Sequence, residues 1–373
     1  MLEKYPRILR WIANMSASNN AIPLGSNPHF NAHGAMSINR PLLTHLNADT
    51  TWLLQLPQTQ DRRVWNGRSH LNILIDPWLR GRQSDVAFWF SSQWHAIESS
   101  VQTIAQLNKM LEKAQDLEGS DAHTHCPDTK TNFIDAIIVS HEFTDHCHKR
   151  TLLEVDSTVP VFATAKAAAL IRSWQHFKTV LEPTPFSSQQ SDWQTTSASP
   201  LPGWLSISRI VTRSDALYYH SAIMVAFDLG IHRSDEIAKR NKAQAIIYTP
   251  HGIHAQDLRC LKLAEPPLET LALMHGLHDV KISAKQLNLG AHNGLQAQRI
   301  CHAKHWVSTH DEVKKARGFI APILFRKKLT FKDAIEDEKK RNGTGLLERN
   351  SELSVLEEVN FAELKNGESL VLG

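Results

Sequence analysis

The sequence predicts an α/β protein in which helices cover the outer faces of β-sheets. Short apolar runs that end in proline, TWLLQLP and LNILIDP, are typical of buried strands. The stretch IESSVQTIAQLNKMLEKAQ has apolar residues at intervals of three and four, which is the spacing of a helix. Strands and helices then follow each other in two similar halves, which favours sheets with helices outside.

The individual elements follow in a regular order. In the first half, IDAIIVS is predicted as a strand, KRTLLEV as the start of a helix, VPVFAT as a strand and AKAAALIRSW as a helix. In the second half, GWLSISRIV, LYYHSAIMVAF, QAIIYT and LETLALMHG are strand-like, LNLGAHNGLQAQRICHA is predicted as a helix and KHWVST as a strand.

These elements divide the chain into three parts. We expect an irregular N-terminal arm over residues 1–45, a main domain over 46–330 and a charged C-terminal tail over 331–373. Near the end of the tail, Asn-Gly between two apolar runs in FAELKNGESLVLG predicts a hairpin.

Composition excludes several classes of protein. The formal net charge of +3 and the absence of a basic stripe argue against nucleic-acid binding. The four cysteines form no CxxC pair, which indicates reduced thiols rather than a disulfide framework. No signal peptide is evident, and no run approaches the roughly 20 apolar residues of a membrane span. We therefore expect a cytoplasmic protein that binds no membrane. No sequence feature indicates an oligomeric state.

The stretch SHEFTDHCHK follows the apolar run FIDAIIV directly. It brings His141, Asp145 and His146 to the end of a predicted buried strand, where a loop can direct several side chains at one point. Imidazole nitrogen and carboxylate oxygen are ligands that Zn²⁺ or Fe²⁺ accepts. Alone, the stretch fits a solvated helix cap with Asp145 as the N-cap equally well.

Further histidines lie within or after other predicted strands, and their recurrence favours the metal site over a set of separate structural histidines. These residues are His220, His251, His275, His278 and His310.

Three motifs resemble those of the metallo-β-lactamase fold superfamily, in the branch of predicted hydrolases seen in fungi and plants. ILIDP matches the early strand that ends in Asp, and IIVSHEFTDH matches the strand followed by the signature H-x-H-x-D-H. KHWVSTHDE matches the last strand, whose end supplies the final His ligand. The resemblance implies an αββα four-layer sandwich of two mixed β-sheets flanked by helices, with metal at one edge.

For the first metal of the family, the resemblance implies an incomplete ligand set. His141 matches the first signature histidine, and His220 matches the histidine of the third motif. The second signature histidine falls on Phe143, which cannot bind metal. Asp76, at the end of ILIDP, would support the site by hydrogen bonding.

For the second metal, the resemblance implies an intact set of Asp145, His146 and His310. The aspartate that bridges the two metals in the family has two candidate positions here. His251 follows QAIIYTP in the expected strand order, whereas Asp228 follows the third-motif histidine too closely for a hairpin to intervene. We therefore expect His251 at the bridging position, with Asp228 as the runner-up. Since imidazole bridges two metals poorly, one ion is expected, Zn with Fe or Mn as alternatives.

The implied activity is hydrolysis, in which a metal-bound hydroxide attacks an ester, lactone, thioester or phosphodiester bond of a small, partly apolar substrate. Asp145 and His251 are the residues expected to take part in catalysis. The alternative is a degenerate member of the superfamily that binds a ligand or partner without hydrolysis. Phe143 and the missing bridging aspartate favour that alternative. The retained histidines favour the enzyme, because a cluster of buried polar groups is costly to keep without a role.

Residues around the motif carry weaker predictions. Trp89 and Trp94 belong either to the core or to an apolar substrate wall. His148 is expected on the surface of the first helical turn, and His123 and His125 at the rim of the pocket.

Overall fold

The computed structural model describes residues 21–23, 39–58, 68–84, 89–117, 132–212, 219–230, 243–319, 321–343 and 360–373. The predicted rim residues His123 and His125 lie outside these ranges. The first strands in chain order are β1 (Ala21–Pro23), β2 (Leu42–His45), β3 (Trp52–Pro57), β4 (His70–Ile75), β5 (Ser92–Trp94), β6 (Ala136–Val139), β7 (Val161–Ala163), β8 (Val180–Leu181), β9 (Thr184–Pro185) and β10 (Leu205–Val211). The remaining strands are β11 (Ser221–Phe227), β12 (Ala243–Thr249), β13 (Leu268–His275), β14 (Asp279–Ile282), β15 (Lys285–Asn288), β16 (His305–Val307), β17 (Lys315–Arg317), β18 (Leu324–Lys327), β19 (Asn360–Ala362) and β20 (Glu368–Val371). The α-helices are α1 (Ile104–Leu117), α2 (Lys149–Leu152), α3 (Ala165–Ser173), α4 (Ala291–Cys301) and α5 (Phe331–Gly343).

Two large mixed sheets form the centre of the molecule. The first has the order β1-β20-β2-β3-β4-β6-β7-β8, antiparallel as far as β4 and parallel from β4 onward. The second has the order β19-β16-β13-β12-β11-β10-β9, with parallel strands from β19 to β12 and antiparallel pairs around β11. The two sheets therefore combine hairpins with strand–helix units, as the sequence order predicts.

The main core lies between the two sheets. It joins residues of the first sheet, such as Ile73 and Ile138, to residues of the second, such as Val225 and Met274, all almost fully buried. The outer face of each sheet forms a second apolar cluster with its own helices, α1 to α3 on the first sheet and α4 on the second. Since both faces of the sheets are covered, a central strand such as β6 is apolar throughout rather than alternating. The predicted αββα sandwich is confirmed.

The two ends of the chain contribute to the sheets, so the predicted arm and tail are not separate from the main domain. β1 and β2 lie within residues 1–45, and both pair with β20 at the edge of the first sheet. In the tail, α5 begins at Phe331, whose ring lies 5.4 Å from that of Trp306 in β16.

The predicted terminal hairpin is wrong. β19 pairs in parallel with β16 in the second sheet, whereas β20 pairs with β1 and β2 in the first. The Asn-Gly turn therefore carries the chain from one sheet to the other. The pairing of β19 with β16, and of β20 with both β1 and β2, outweighs the local preference for a two-residue turn.

No helix in the described part of the chain is both long enough and apolar enough to cross a lipid bilayer.

Candidate metal centre

Polar side chains meet where four parallel-paired strands end at one edge of the sandwich. Asp76 follows β4, the segment from His141 to His146 follows β6, His251 follows β12 and His310 follows β16. Asp76 and His310 have left-handed backbones, with φ of 43° and 61°. Such conformations are unfavourable for residues with a Cβ and persist where surrounding contacts hold them, often at functional sites.

Asp76 is fully buried and accepts four hydrogen bonds. Its Oδ1 accepts from the backbone N–H of Ser140 at 2.7 Å, and its Oδ2 accepts from the Ser140 hydroxyl at 2.5 Å. Oδ2 also lies 2.7 Å from His146 Nδ1 and 2.7 Å from the Tyr248 hydroxyl, both of which donate to it. The carboxylate therefore fixes the proton of His146 on Nδ1 and leaves Nε2 as the atom that faces the site.

His146 and His251 approach each other closely. Their Nε2 atoms are 2.9 Å apart, and His251 Nδ1 lies 3.3 Å from the carbonyl oxygen of Leu287. Because each Nδ1 donates to an acceptor, two Nε2 lone pairs face each other unless a cation or a shared proton lies between them. Two imidazole nitrogens on one zinc ion would be roughly 3.3 Å apart, so this spacing is close to that of ligands on a common ion.

His310 is oriented in the same way by a carboxylate. Its Nδ1 donates to Asp49 Oδ1 at 3.0 Å, and its Nε2 lies 4.0 Å from Asp145 Oδ2. The other oxygen of Asp145 is 3.7 Å from His146 Nε2. Asp145 thus lies between two imidazoles whose free nitrogens point toward it.

Lys314 brings a positive charge into this cluster. Its Nζ lies 2.6 Å from both Asp49 Oδ2 and Asp145 Oδ2, with only 4% of the side chain exposed. Burial alone would raise the pKa of Asp145, but the Lys314 ammonium together with His146 and His310 outweighs burial and holds that pKa well below its ordinary value. The same balance lowers the pKa of Asp49, and the two carboxylates raise the pKa of Lys314 against the effect of burial. The triad is therefore ionised at neutral pH.

His141 makes contacts of a different kind. Its Nε2 donates to the carbonyl oxygen of Tyr219 at 2.9 Å, and its Nδ1 lies 2.9 Å from Ser140 Oγ. The ring of Phe143 stacks on it with centroids 6.1 Å apart, and Phe143 also meets the edge of Tyr219 at 5.1 Å. An aromatic wall therefore stands where the signature motif would place a second histidine ligand.

The protonation of the imidazoles suits metal binding. Burial lowers the pKa of His251 well below its ordinary value, and burial also lowers the pKa of His310. Burial opposes protonation of His146 as well, but the adjacent Asp145 carboxylate helps to outweigh it and raises that pKa. Neutral imidazole is the form that ligates a metal, and His146 would lose its second proton on binding one.

Two groups of donor atoms in the described part of the chain are close enough to hold an ion, with all atoms of a group within 4.8 Å of one another. The groups are His141, His146 and His251, and Asp145, His146 and His310. His146 belongs to both. Nitrogen and carboxylate donors at these spacings fit a divalent ion such as Zn²⁺. The close approach of His146 Nε2 and His251 Nε2 fits either a shared proton or an ion between them.

His220 is not brought into either group, contrary to its predicted role as a ligand. It precedes β11, and its ring packs against His254 with centroids 5.7 Å apart. Tyr219, the residue before it, is the one whose ring and carbonyl oxygen reach His251 and His141. The chain bends at His220, so that Tyr219 and not His220 faces the two donor groups.

Asp228, the runner-up bridging residue, lies at the opposite end of the strand from the site. It directly follows β11, whereas His220 directly precedes it, which separates the two by roughly 25 Å at the usual rise of a strand. Asp228 Oδ1 accepts a hydrogen bond from Gly230 N at 2.8 Å. Asp228 therefore lies away from both donor groups, whereas His251 belongs to one of them.

Two predictions about the surroundings also change. His148 is buried rather than on the surface, with its Nδ1 2.9 Å from Thr151 Oγ1. Trp89 is 60% exposed, and Trp94 is half-buried with the guanidinium of Arg317 5.9 Å from its ring, so neither belongs to the core.

Sequence reasoning did not identify Asp49, Lys314 or Tyr248. Asp49 lies in the loop between β2 and β3, and Lys314 stands in DEVKK, which has the composition of an exposed charged segment. For Asp49 and Lys314, the only available signal was that each lies close in sequence to the end of a predicted strand. Their partners are more than 90 residues away along the chain.

No protein-family model matches the sequence, and no curated protein is significantly similar to it. Solved structures are similar in fold. A possible metal-dependent hydrolase from Veillonella parvula DSM 2008 aligns over 89% of this chain and 100% of its own, at 13% identity and a TM-score of 0.51. An isothiocyanate hydrolase from Delia radicum gut bacteria aligns over 89% of this chain and 99% of its own, at 15% identity and a TM-score of 0.48.

A third similar structure is the metallo-β-lactamase fold protein YhfI from Bacillus subtilis, which aligns over 89% of this chain and 100% of its own at 14% identity and a TM-score of 0.42. At these identities the similarity concerns the fold alone. The two face-to-face mixed sheets and the outer helices are the part of the structure that this similarity concerns. The chain therefore shares its fold with the possible metal-dependent hydrolase from Veillonella parvula DSM 2008.

Proposed function

We propose that the protein is a metal-dependent hydrolase that uses one divalent ion. One observation carries the proposal: three buried imidazoles are each anchored through Nδ1 and present Nε2 to a common region beside Asp145. The anchors are the Asp76 carboxylate, the Asp49 carboxylate and the Leu287 carbonyl oxygen. Such anchoring is how metal-binding histidines are held in the ligating tautomer.

The ion would be held by Nε2 of His146 together with His251, and by His310, Asp145 or His141 from the two donor groups. Zn²⁺ suits these donors, with iron or manganese as alternatives. When bound, the ion would supply Lewis acidity, which polarises a scissile carbonyl or phosphoryl oxygen and acidifies water.

The chain's own residues prepare the site. Asp76 and Asp49 orient His146 and His310, and their buried hydrogen bonds keep the rings from rotating. Phe143 and Tyr219 form an aromatic wall beside His251, with centroids 6.0 and 6.2 Å from its ring. A wall of this kind excludes water and offers contact to an apolar group. We therefore propose a small, partly apolar substrate with an ester, lactone, thioester or phosphodiester bond, and a cytoplasmic location.

A second candidate function is ligand binding without hydrolysis. It is favoured by Phe143, which replaces a ligand of the family signature, and by Lys314, whose ammonium already neutralises Asp145. Under this alternative the cluster is a structural charge network, and the protein holds no catalytic ion.

Metal content separates the two candidates. We expect purified protein to hold about one equivalent of zinc or iron per chain, because neutral, preoriented imidazoles bind tightly. His146→Ala should remove it, since this residue belongs to both donor groups. His176→Ala is the matched control, because His176 Nε2 contacts the Val155 carbonyl oxygen away from the site.

Activity is then assayed on metal-loaded wild type with chromogenic ester, lactone, thioester and phosphodiester substrates. Hydrolysis that is lost in His146→Ala and kept in His176→Ala supports the proposal. A wild type that neither contains metal nor binds added Zn²⁺ contradicts it and favours the binding function.

A further inference from the structure

We propose that Lys314 is a positioning residue whose ammonium acts as a fixed internal cation beside Asp145, so that the site accepts one divalent ion rather than two. This inference rests on the proposed function, because it concerns the ion at the same site. It assigns a role to a residue that lies outside both donor groups.

The first step of the argument is geometric. Lys314 Nζ is 2.6 Å from one oxygen of Asp49 and 2.6 Å from one oxygen of Asp145, and the ring of Trp78 lies 5.4 Å away on another side. The ammonium therefore lies at Asp145 Oδ2, whereas the other oxygen, Oδ1, is the one 3.7 Å from His146 Nε2. A second ion that used Oδ2 would have to displace the ammonium.

The second step is a count of charge. Three buried carboxylates, Asp49, Asp76 and Asp145, contribute −3, and Lys314 contributes +1, which leaves −3 + 1 = −2. One divalent ion beside neutral imidazoles brings this local charge to zero. A second would leave +2 in a buried environment, which is costly without further anionic ligands.

The third step is a count of donors. The Nδ1 atom of His146 donates to Asp76, so only Nε2 is left for an ion, although both donor groups need it. Phe143 supplies no donor where it stacks on His141. A second ion cannot share that nitrogen and would depend on the carboxylate oxygens of Asp49 and Asp145, which Lys314 binds.

The loop that carries Lys314 is held firmly, so the ammonium cannot easily move aside. Glu312 Oε1 accepts hydrogen bonds from Ala96 N at 2.6 Å and Ile97 N at 3.2 Å, and its Oε2 lies 2.7 Å from His95 Nδ1. His310, at the start of the same loop, donates its backbone N–H to the Asp49 carbonyl oxygen at 2.9 Å. The charge therefore remains in place when an ion binds.

The test is the number of ions bound by the full chain. Metal is removed with a chelator, the protein is dialysed against a series of Zn²⁺ concentrations, and bound zinc is measured by mass spectrometry of the element. We expect one ion per chain in wild type and two in Lys314→Met, which keeps the length of the side chain but frees both carboxylates. Lys314→Arg should return the count to one. Lys315→Met, at an exposed neighbouring position, is the control and should also bind one.

Two ions in wild type would overturn the inference, as would one ion of unchanged affinity in Lys314→Met. If Lys314→Met does not fold, the pair Asp49→Asn with Lys314→Met removes one charge of each sign. It is expected to bind one ion, and two would again overturn the inference. A wild type that binds no Zn²⁺ contradicts the proposed function itself, which distinguishes the two failures.

Discussion

The hydroxyl of Tyr248 offers a sharp test of how the site is held together. Tyr248 is buried in the core between the sheets, and its hydroxyl donates to Asp76 Oδ2 at 2.7 Å. Burial, reinforced by the Asp76 carboxylate, raises the pKa of Tyr248 well above its ordinary value. The phenol is therefore a neutral donor throughout the neutral range. Tyr248→Phe removes this one donor and leaves the ring in place.

The expected magnitude follows from the contacts. A hydrogen bond to a charged acceptor contributes about 1.5–3 kcal/mol, and the phenyl ring of the variant fills nearly the same volume, so no cavity adds to the loss. Asp76 keeps its three remaining donors, from Ser140 and His146. We therefore expect Tyr248→Phe to lower the free energy of unfolding by about 1.5–3 kcal/mol. Metal affinity should fall by no more than about tenfold, since His146 keeps its own anchor.

The assay is urea unfolding of metal-free protein followed by circular dichroism, combined with a double-mutant cycle. Asp76→Asn is prepared alone and together with Tyr248→Phe. If the hydroxyl acts through the Asp76 carboxylate, its removal should cost much less in the Asp76→Asn background. A loss below about 0.5 kcal/mol in the single variant, or equal losses in both backgrounds, would refute the reasoning.

The other predictions concern packing, charge and thiol chemistry. Gly294→Ala should lower the free energy of unfolding by about 1–3 kcal/mol in urea titrations, because the added Cβ would lie 2.3 Å from the ring of Trp306, whereas Gly203→Ala has no heavy atom within 4 Å and should change little. Because the pKa of Asp49 is held below its ordinary value, its stabilising effect is complete above about pH 4 and is lost as the pH falls further. Metal-free Asp49→Asn should therefore lose less stability on acidification than wild type does, and equal slopes would contradict this. Cys147, buried and with its thiol pKa raised by burial, should escape iodoacetamide labelling of the native protein in peptide mapping, and rapid labelling would show that the segment after β6 opens.

The order of elements could be read from the chain because it depends on local patterns. Apolar runs such as that of β6 fit only a strand covered on both sides, and the residues that follow such a run must emerge at a sheet edge. In the structure, His141, Asp145, His146, His251 and His310 lie together at such an edge. The terminal hairpin failed because a turn signal describes only neighbouring residues, while β19 and β20 pair with strands far away in the chain.

The direction of each side chain at that edge was harder to predict from the sequence. His220 and Tyr219 are neighbours, and the bend at His220 determines which of the two side chains faces the site. The sequence shows that one of them is near the edge. The pairing of β11 with β12 decides that Tyr219 contacts His141 and His251.

By itself, the sequence determined the class of the fold and the presence of a histidine-rich edge, because both follow from periodicity and from the strand ends. Only the tertiary structure decided the charge of that edge. Asp49 and Lys314 lie 265 positions apart (314 − 49 = 265), yet their side chains meet at 2.6 Å. An unpaired buried charge is costly, so each charged group pairs with a group on a loop that the packed sheets bring close to it. No local sequence pattern encodes that pairing.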